Sequence, residues 1–453
     1  MMRRTATTAL ALLLLPLAGL AAQDTVPPVE QGVRIGITYT PGLRPGMMVL
    51  GGPHEAAIDS VRAILNRDLD LSDRFEMISL PADSLVLGVS GRQEGSRAMG
   101  DAPLYVNYSL HAALGAEYSV AVLPTADPLS LVVALYDVKG EAERQRFTLT
   151  VTDPADERFR LAVHHVADEL VRAATGEAGI AASRLLFISN GRLYRVDADG
   201  ATRVQVTPAG EKIFSPTWDP TGLRAVYTVL SGGWGKIVVQ DLVRGTVTTV
   251  RPTATELNYT AAVSADGTLL AFSRSAEEGT DIYRYNLQRD CCLERLTVGR
   301  FSDNLSPTFS PDGRQIAFVS TRAGGQQIYV MSADGTGQEL FAPFDYGVTG
   351  NSNAPEWSPD GMQIAFHRDV MGAPQLFLMN VRSRVVRQLT SYGRNEDPTW
   401  APDGRHLAFI SDRTGRRQVW TIDVESGRVR QLTTIGDARL PAWSPRIQMA
   451  LQP

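Results

Sequence analysis

The sequence predicts two domains, a small N-terminal α/β domain followed by a six-bladed all-β propeller closed by its C-terminal strand. Three observations carry that fold class. A strand-rich unit repeats along the last two-thirds of the chain, strands and helices alternate before it, and the truncated last repeat complements an incomplete first one.

The repeat is clearest from Ser306 to Leu340, SPTFSPDGRQIAFVSTRAGGQQIYVMSADGTGQEL. A short strand ends at Phe309 and meets Ser310-Pro311-Asp312-Gly313. Ser, Pro and Gly hold the positions that a type I turn and its bulge favour. RQIAFVS, QIYVM and a short run over Glu339–Phe341 follow, separated by Thr321–Gln326 and Ala333–Thr336. Four strands and three tight turns make one antiparallel meander. Aligning the turn places an apolar anchor at Trp218, Val263, Phe309, Trp357, Trp400 and Trp443, with spacings of 45, 46, 48, 43 and 43 residues. That is the period of a propeller blade. One such sheet exposes two apolar faces, so a blade is stable only when stacked between neighbours.

The ends settle the count. Trp443 has only ten residues after it, too few for three more strands. Arg184–Thr207 resembles Arg405–Thr433 in its aromatic strand, hairpin, second strand, Asp-plus-Gly turn and closing strand, but lacks the inner strand. Joined, the two ends complete a sixth blade, and residues 184–453 are assigned to the propeller.

Upstream, Arg3 and Arg4 precede an apolar run from Ala9 to Leu20, with small Gly19 and Ala21 at its end. This reads as a secretory signal over 1–21, cleaved between Ala21 and Ala22. Residues 22–32 form a polar, flexible segment containing Pro27-Pro28. The α/β domain spans 33–175. Its strands are expected at Val33–Tyr39, Met47–Leu50, Phe75–Leu80, Tyr118–Leu123, Leu129–Tyr136 and Arg146–Val151, and helices at Glu55–Leu69 and Asn107–Leu114. A last helix has Asp153 as cap, Pro154 in its first turn and Gly176 after its end. Residues 176–183 are the linker.

A net charge of −5 without a basic cluster excludes nucleic acid as a partner class. No later apolar run reaches the ~18 residues of a membrane span, so no direct membrane insertion is expected, and the chain reads as a monomer. Adjacent Cys291 and Cys292 read as two thiols or an intermolecular link, because a bond between neighbours strains the peptide joining them. No Gly-x-Ser-x-Gly elbow occurs, and the chain ends on its last propeller strand, which leaves no hydrolase domain. His54-Glu55 opens like a zinc-protease helix, but Ile58 stands where the second His is needed. His164 and His165 read as surface histidines. Asp266, Asp312, Asp360 and Asp403 are explained by their turns. No catalytic residue, metal or cofactor is expected.

Together these features resemble the TolB family. VRIGITY followed by RPGMMV, AALGAEYSVAVLPT, ADELVRAATGEAGIAASRLLFISN and the closing PAWSP carry the resemblance over nearly the whole chain after residue 21. It implies a non-enzymatic periplasmic hub. Such a hub links Pal, a peptidoglycan-associated outer-membrane lipoprotein, with the inner-membrane protein TolA, supporting outer-membrane integrity and constriction at cell division. TolA-type binding would fall on Val33, Arg34, Ile35, Gly36, Ile37 and Thr38, though Val33, Ile35 and Ile37 equally suit a core strand. This chain departs from the family in its extra residues 22–32 and in Thr38-Tyr39-Thr40, where an Asp often stands.

Pal-type binding would fall on the segments that cross from one blade to the next, which converge on one mouth of the central channel. The residues assigned there are Leu257, Asn258, Tyr259, Asp303, Asn304, Leu305, Asn351, Asn353, Asn395, Glu396, Asp437 and Arg439. Tyr259 and Leu305 would be the apolar anchors, with Asn304, Asn353 and Asn395 supplying hydrogen bonds. The alternative is a propeller that binds a carbohydrate or peptide, or a propeller-based hydrolase or lyase.

Overall fold

The computed structural model describes residues 44–51, 55–79, 106–153, 156–253, 256–344 and 350–448. The signal, the 22–32 segment, the Val33–Tyr39 strand with all six TolA-type positions, and His54 lie outside the described residues.

The first layer is a five-stranded sheet of β1 (Gly46–Val49), β2 (Glu76–Met77), β3 (Tyr118–Pro124), β4 (Ser130–Asp137) and β5 (Ala142–Thr150), ordered β2-β1-β3-β4-β5. The long helices α1 (Ala56–Leu71) and α3 (Glu157–Thr175) share one core with it, while the short α2 (Tyr108–Ala113) lies between them in sequence. Ile58, Val61, Leu65 and Leu69 of α1 meet Phe159, Val163, Val166 and Leu170 of α3 over Met47, Val120 and Val133 of the sheet. These are the apolar stripes of two amphipathic helices. Gly176 ends α3 at φ 81, as the sequence requires. Its start differs from expectation. The cap is Asp156, whose carboxylate accepts from the Arg158 N–H at 2.8 Å, because the Asp153 carbonyl first closes a turn onto the Asp156 N–H.

The rest is antiparallel meanders. Strands β6 (Arg184–Ser189), β7 (Arg192–Asp197) and β8 (Val204–Gln205) open the series. Five four-strand runs follow: β9–β12 within 212–249, β13–β16 within 258–295, β17–β20 within 302–340, β21–β24 within 352–388 and β25–β28 within 395–431. The last strand, β29 (Ala438–Trp443), pairs antiparallel with β6, Ala438 opposite Ser189 and Trp443 opposite Leu185. The six inner strands β9, β13, β17, β21, β25 and β29 neighbour one another in that order, and β29 neighbours β9. Two of the runs merge into one sheet, because Gly279 and Thr280 of β15 pair parallel with Ser302 and Asp303 of β17. A side chain at Gly279 would put a Cβ 2.4 Å from the Ser302 carbonyl oxygen, so only glycine permits that approach.

Packing between sheets follows the repeat. Phe187, Phe272, Phe318, Phe366 and Phe409 of the second strands are fully buried. Trp218, Trp357, Trp400 and Trp443 are buried inner-strand anchors, and the Trp218 indole N–H donates to the Ala442 carbonyl at 2.9 Å. In the Ser310 turn, Gly313 takes φ 70 and the Asp312 carboxylate accepts from the Ser310 hydroxyl at 2.6 Å. Cys291 and Cys292 correct the expectation of thiols or an intermolecular link, because they are joined to each other. A bulge in β16 (Cys291–Arg295) and a left-handed backbone at Cys292, φ 66, bring the two sulfurs together. Among the described residues no helix is long and apolar enough to cross a membrane.

Candidate partner-binding face

Every inner strand carries one left-handed residue three positions before its anchor. These are Ser215, Thr260, Ser306, Ala354, Asp397 and Leu440, with φ between 46° and 54°. Each lies at a register shift between the inner and second strands. Such a bulge re-phases the side chains, so alternation does not run through it.

Just ahead of the bulge, alternation divides the sequence-derived residues into two sets. Asn258, Asn304 and Asn395, five positions before their anchors, are completely buried. The Asn304 amide donates to the Thr280 carbonyl and the Asp281 carboxylate, and its Oδ1 accepts from Arg322 at 2.9 Å. Asn395 donates to Gln375 and the Tyr392 carbonyl and accepts from Arg413 at 2.8 Å. Asn258 donates to the Gly235 carbonyl and accepts from Arg274 at 2.9 Å. Each arginine is stacked on the second-strand Phe of its own sheet. Asn304 and Asn395, expected to supply hydrogen bonds to a partner, make these bonds within the protein. Their polar atoms are committed inside the protein, where an unpaired amide would cost about 1–3 kcal/mol.

The next position outward is open. Tyr259, Leu305, Asn353 and Glu396 are partly exposed and Arg439 is exposed, all one residue before the bulge. Phe214, in the first of the crossing segments, completes this set. The Tyr259 hydroxyl pairs with Thr280 Oγ1 at 3.0 Å, and Glu396 lies 3.3 Å from Arg417. The Asn353 side chain makes no hydrogen bond among the described residues, while its backbone pairs opposite His367. Leu257, Asp303 and Asp437 are exposed, with Asp437 paired to Arg439 at 3.2 Å, while Asn351 is held by the Gln326 N–H and by Asp369.

In an antiparallel meander, the hairpin joining the second and third strands lies at the same end as the crossing into the inner strand. Exposed Trp234 and Met371 sit in such hairpins, and exposed Phe301 and Tyr392 in such crossings. This end of the sheets therefore presents a discontinuous apolar rim around the Tyr259 and Leu305 positions. The signal for it was available, since large apolar residues flank glycines in both hairpins (Gly233-Trp234 and Met371-Gly372).

Deeper along the inner strands stand two carboxylates, with a histidine on the neighbouring β22, that sequence reasoning missed. Burial pushes Glu356 up to about 7, against hydrogen bonds from the Trp400 N–H and the Thr399 hydroxyl at 3.1 Å. Burial and the Glu396 charge push Asp397 up to about 7. Burial holds His367 down at about 4, and its Nδ1 accepts from the Asp397 N–H at 3.1 Å.

At the opposite end the first layer packs on the β6–β8 and β25–β28 meanders. There Asp73, in the loop after α1, meets Arg430 at 2.8 Å, Arg428 at 3.1 Å and His406 at 3.3 Å. Asp70 meets Arg430 at 2.6 Å, and Arg160 of α3 meets Asp199 at 2.8 Å. His164 corrects its surface assignment. It is 1% exposed, with Nδ1 2.7 Å from Asp68 and Nε2 3.9 Å from Asp197. Burial would lower its pKa, but the Asp68 charge, the nearby Asp197 carboxylate and the Asp68 hydrogen bond hold it up at about 10. His165 is half-buried and depressed to about 4, by burial and then by Arg446. Asp403 does more than shape its turn, because its carboxylate binds His406 Nδ1 at 2.7 Å.

Stacked four-stranded meanders, a helical layer over one end and an apolar rim at the other define a β-propeller protein with an accessory α/β layer. The chain belongs to the TolB β-propeller family: the family described as PD40, TolB beta propeller domain, matches residues 171–343 and 346–451. It is similar to the protein TolB homolog of Chlorobium luteolum, 26% identical over 294 residues, covering 64% of this chain and 63% of that one. It is also similar to the Tol-Pal system protein TolB of Bordetella pertussis, 28% identical over 204 residues and 44% of each chain. Both matches span less than two-thirds of the relative's length. The crystal structure of TolB from Acinetobacter baumannii superposes with a TM-score of 0.72 at 23% identity, over 89% of this chain and 97% of that one, which shows a shared fold.

Proposed function

We propose that this protein is a non-enzymatic interaction hub of the Tol–Pal type, acting in the periplasm after signal cleavage between Ala21 and Ala22. In this reading residues 184–453 form six blades around one channel, with the C-terminal strand closing the ring, and residues 33–175 form the separate α/β domain. The cyclic neighbourhood of the inner strands and the pairing of β29 with β6 support the ring. A Pal-like outer-membrane lipoprotein would bind the rimmed mouth, and a TolA-like inner-membrane protein the segment around Val33–Thr38. Joining the two would serve outer-membrane integrity and constriction at division.

One observation carries the choice of face. The end around Tyr259 and Leu305 is rimmed by exposed apolar side chains, whereas at the opposite end α1, α3 and their ion pairs occupy the β6–β8 and β25–β28 meanders. Interface energy concentrates in a few central aromatic and apolar residues. The test is a titration of a purified Pal-like periplasmic domain against the mature protein and two variants. Tyr259→Asp with Leu305→Asp should abolish binding with thermal unfolding unchanged. Asp312→Ala, in an exposed turn at the other end, should bind like the parent. Equal loss in both variants, or in neither, would place the site elsewhere.

A further inference from the structure

The Cys291–Cys292 disulfide opens β16, the outer strand of its meander, which among the described residues pairs with β15 (Gly279–Asn286) alone. Arg284 faces Glu294 and Asn286 faces Cys291, so Cys292 and Leu293 stand opposite the single residue Tyr285. Asp290 and Cys292 both take left-handed backbone, φ 51 and 66. The hydroxyl of buried Tyr285 donates to the Asp290 carboxylate, which also meets Arg251 at 3.1 Å. These contacts fix the start of the bulge from outside the cysteine pair. Cys292 is exposed and Cys291 partly so.

Architecture gives no reason for cysteine here. The outer strands Val247–Thr249, Glu339–Leu340, Val386–Gln388 and Val429–Gln431 occupy the same place in their meanders and carry none. A cross-link stabilises mainly by restricting the unfolded chain, to a degree that grows with the loop it closes. A bond between neighbours closes no such loop. This disulfide therefore staples no two parts of the fold together, and it sits where a second molecule can reach it.

We propose that Cys291–Cys292 is a thiol–disulfide exchange site that accepts two electrons from a dithiol protein or small dithiol. A thiolate of the reductant attacks Sγ of the exposed Cys292. The Cys292–Cys291 bond breaks, a mixed disulfide forms, and Cys291 leaves as a thiolate that takes a proton. The reductant's second thiolate then attacks its own sulfur in the mixed disulfide and releases Cys292, which is protonated in turn. The protein disulfide is reduced to two thiols while the dithiol becomes a disulfide, so two electrons and two protons move. The exchange releases the clamp on residues 290–293 and leaves the rest of the sheet paired through Arg284–Glu294 and Tyr283–Arg295.

The test uses the full mature chain without denaturant. Alkylation with N-ethylmaleimide should add nothing before dithiothreitol and two adducts after it. A thioredoxin-type protein with its second cysteine replaced by serine should be captured as a mixed disulfide, and should not be captured by a Cys291→Ser/Cys292→Ser variant. That variant should unfold at the same temperature as the parent. Hydrogen exchange should rise on reduction only around residues 287–296. Adducts before reduction, a covalent dimer on a non-reducing gel, reduction only in denaturant, or a variant that melts several degrees lower would each overturn the proposal.

Discussion

His406 holds Asp73 through Nε2 at 3.3 Å while its Nδ1 binds Asp403 at 2.7 Å, so one imidazole joins the loop after α1 to the fifth four-strand run. Burial would lower its pKa, but the Asp403 charge and hydrogen bond, then Asp73, hold it up at about 9. His164 does the same on α3, at about 10. Both histidines are charged at neutral pH, and both link the first layer to the meanders.

The pH dependence has a definite sign. Folded-state values raised above the ordinary 6.5 give stability that is complete below that pH and is lost as pH climbs through 9 and 10. The unfolding midpoint should therefore fall between pH 7 and 10. His164→Gln with His406→Gln should lower the unfolding free energy at pH 7 by on the order of 2 kcal/mol per site, and flatten the alkaline slope. Calorimetry at several pH values checks this, and an unchanged slope in the variant would remove the two histidines from the account.

Glu356 predicts the reverse outcome for a substitution. Its carboxyl, raised to about 7 by burial, imposes a cost that grows as pH rises from the ordinary carboxylate range through 7. Glu356→Gln keeps an oxygen to accept from Thr399 and the Trp400 N–H. The variant should melt several degrees higher than the parent at pH 8 and level with it at pH 4.

Trp443 tests the shared terminal sheet. Its indole N–H donates to the Ser183 hydroxyl at 2.8 Å and its ring is buried against Leu185, Phe187 and Ala408. Trp443→Ala should cost about 3–5 kcal/mol. Deleting residues 440–453 should cost more and promote aggregation, because it bares the edge of β6 (Arg184–Ser189). An unchanged melting temperature in the deletion would refute the role of this strand.

What could be read from the chain follows from how far each feature reaches. Turns and anchors are local, so Ser310–Gly313 and the Trp spacing gave the meanders and their order. The packing of the first layer on the meanders was not legible, since Asp70 and Arg430 are 360 positions apart and neither neighbourhood names the other. His164 looked like a helix-surface residue because its partners come from α1 and the Asp197 turn. At the proposed partner face, segments were found but sides were not. The bulge at Thr260, Ser306 and Asp397 breaks the alternation that would have separated inward Asn304 from outward Leu305.

That separation yields the sharpest test of the proposed face. Asn395 and Asn353 belong to neighbouring runs and were expected to do the same work, yet Asn395 is fully buried and bonded to Gln375 and Arg413, whereas Asn353 is partly exposed. Asn395→Ala should cost about 1–3 kcal/mol of stability by orphaning Gln375 and Arg413, while its folded fraction still binds a Pal-like domain with parental affinity. Asn353→Ala should leave the melting temperature alone and weaken that binding several-fold. Thermal unfolding and binding titration on the two variants give four numbers. If Asn395→Ala weakens binding at full stability, the buried network is itself part of the interface and the outward ring has been assigned too much.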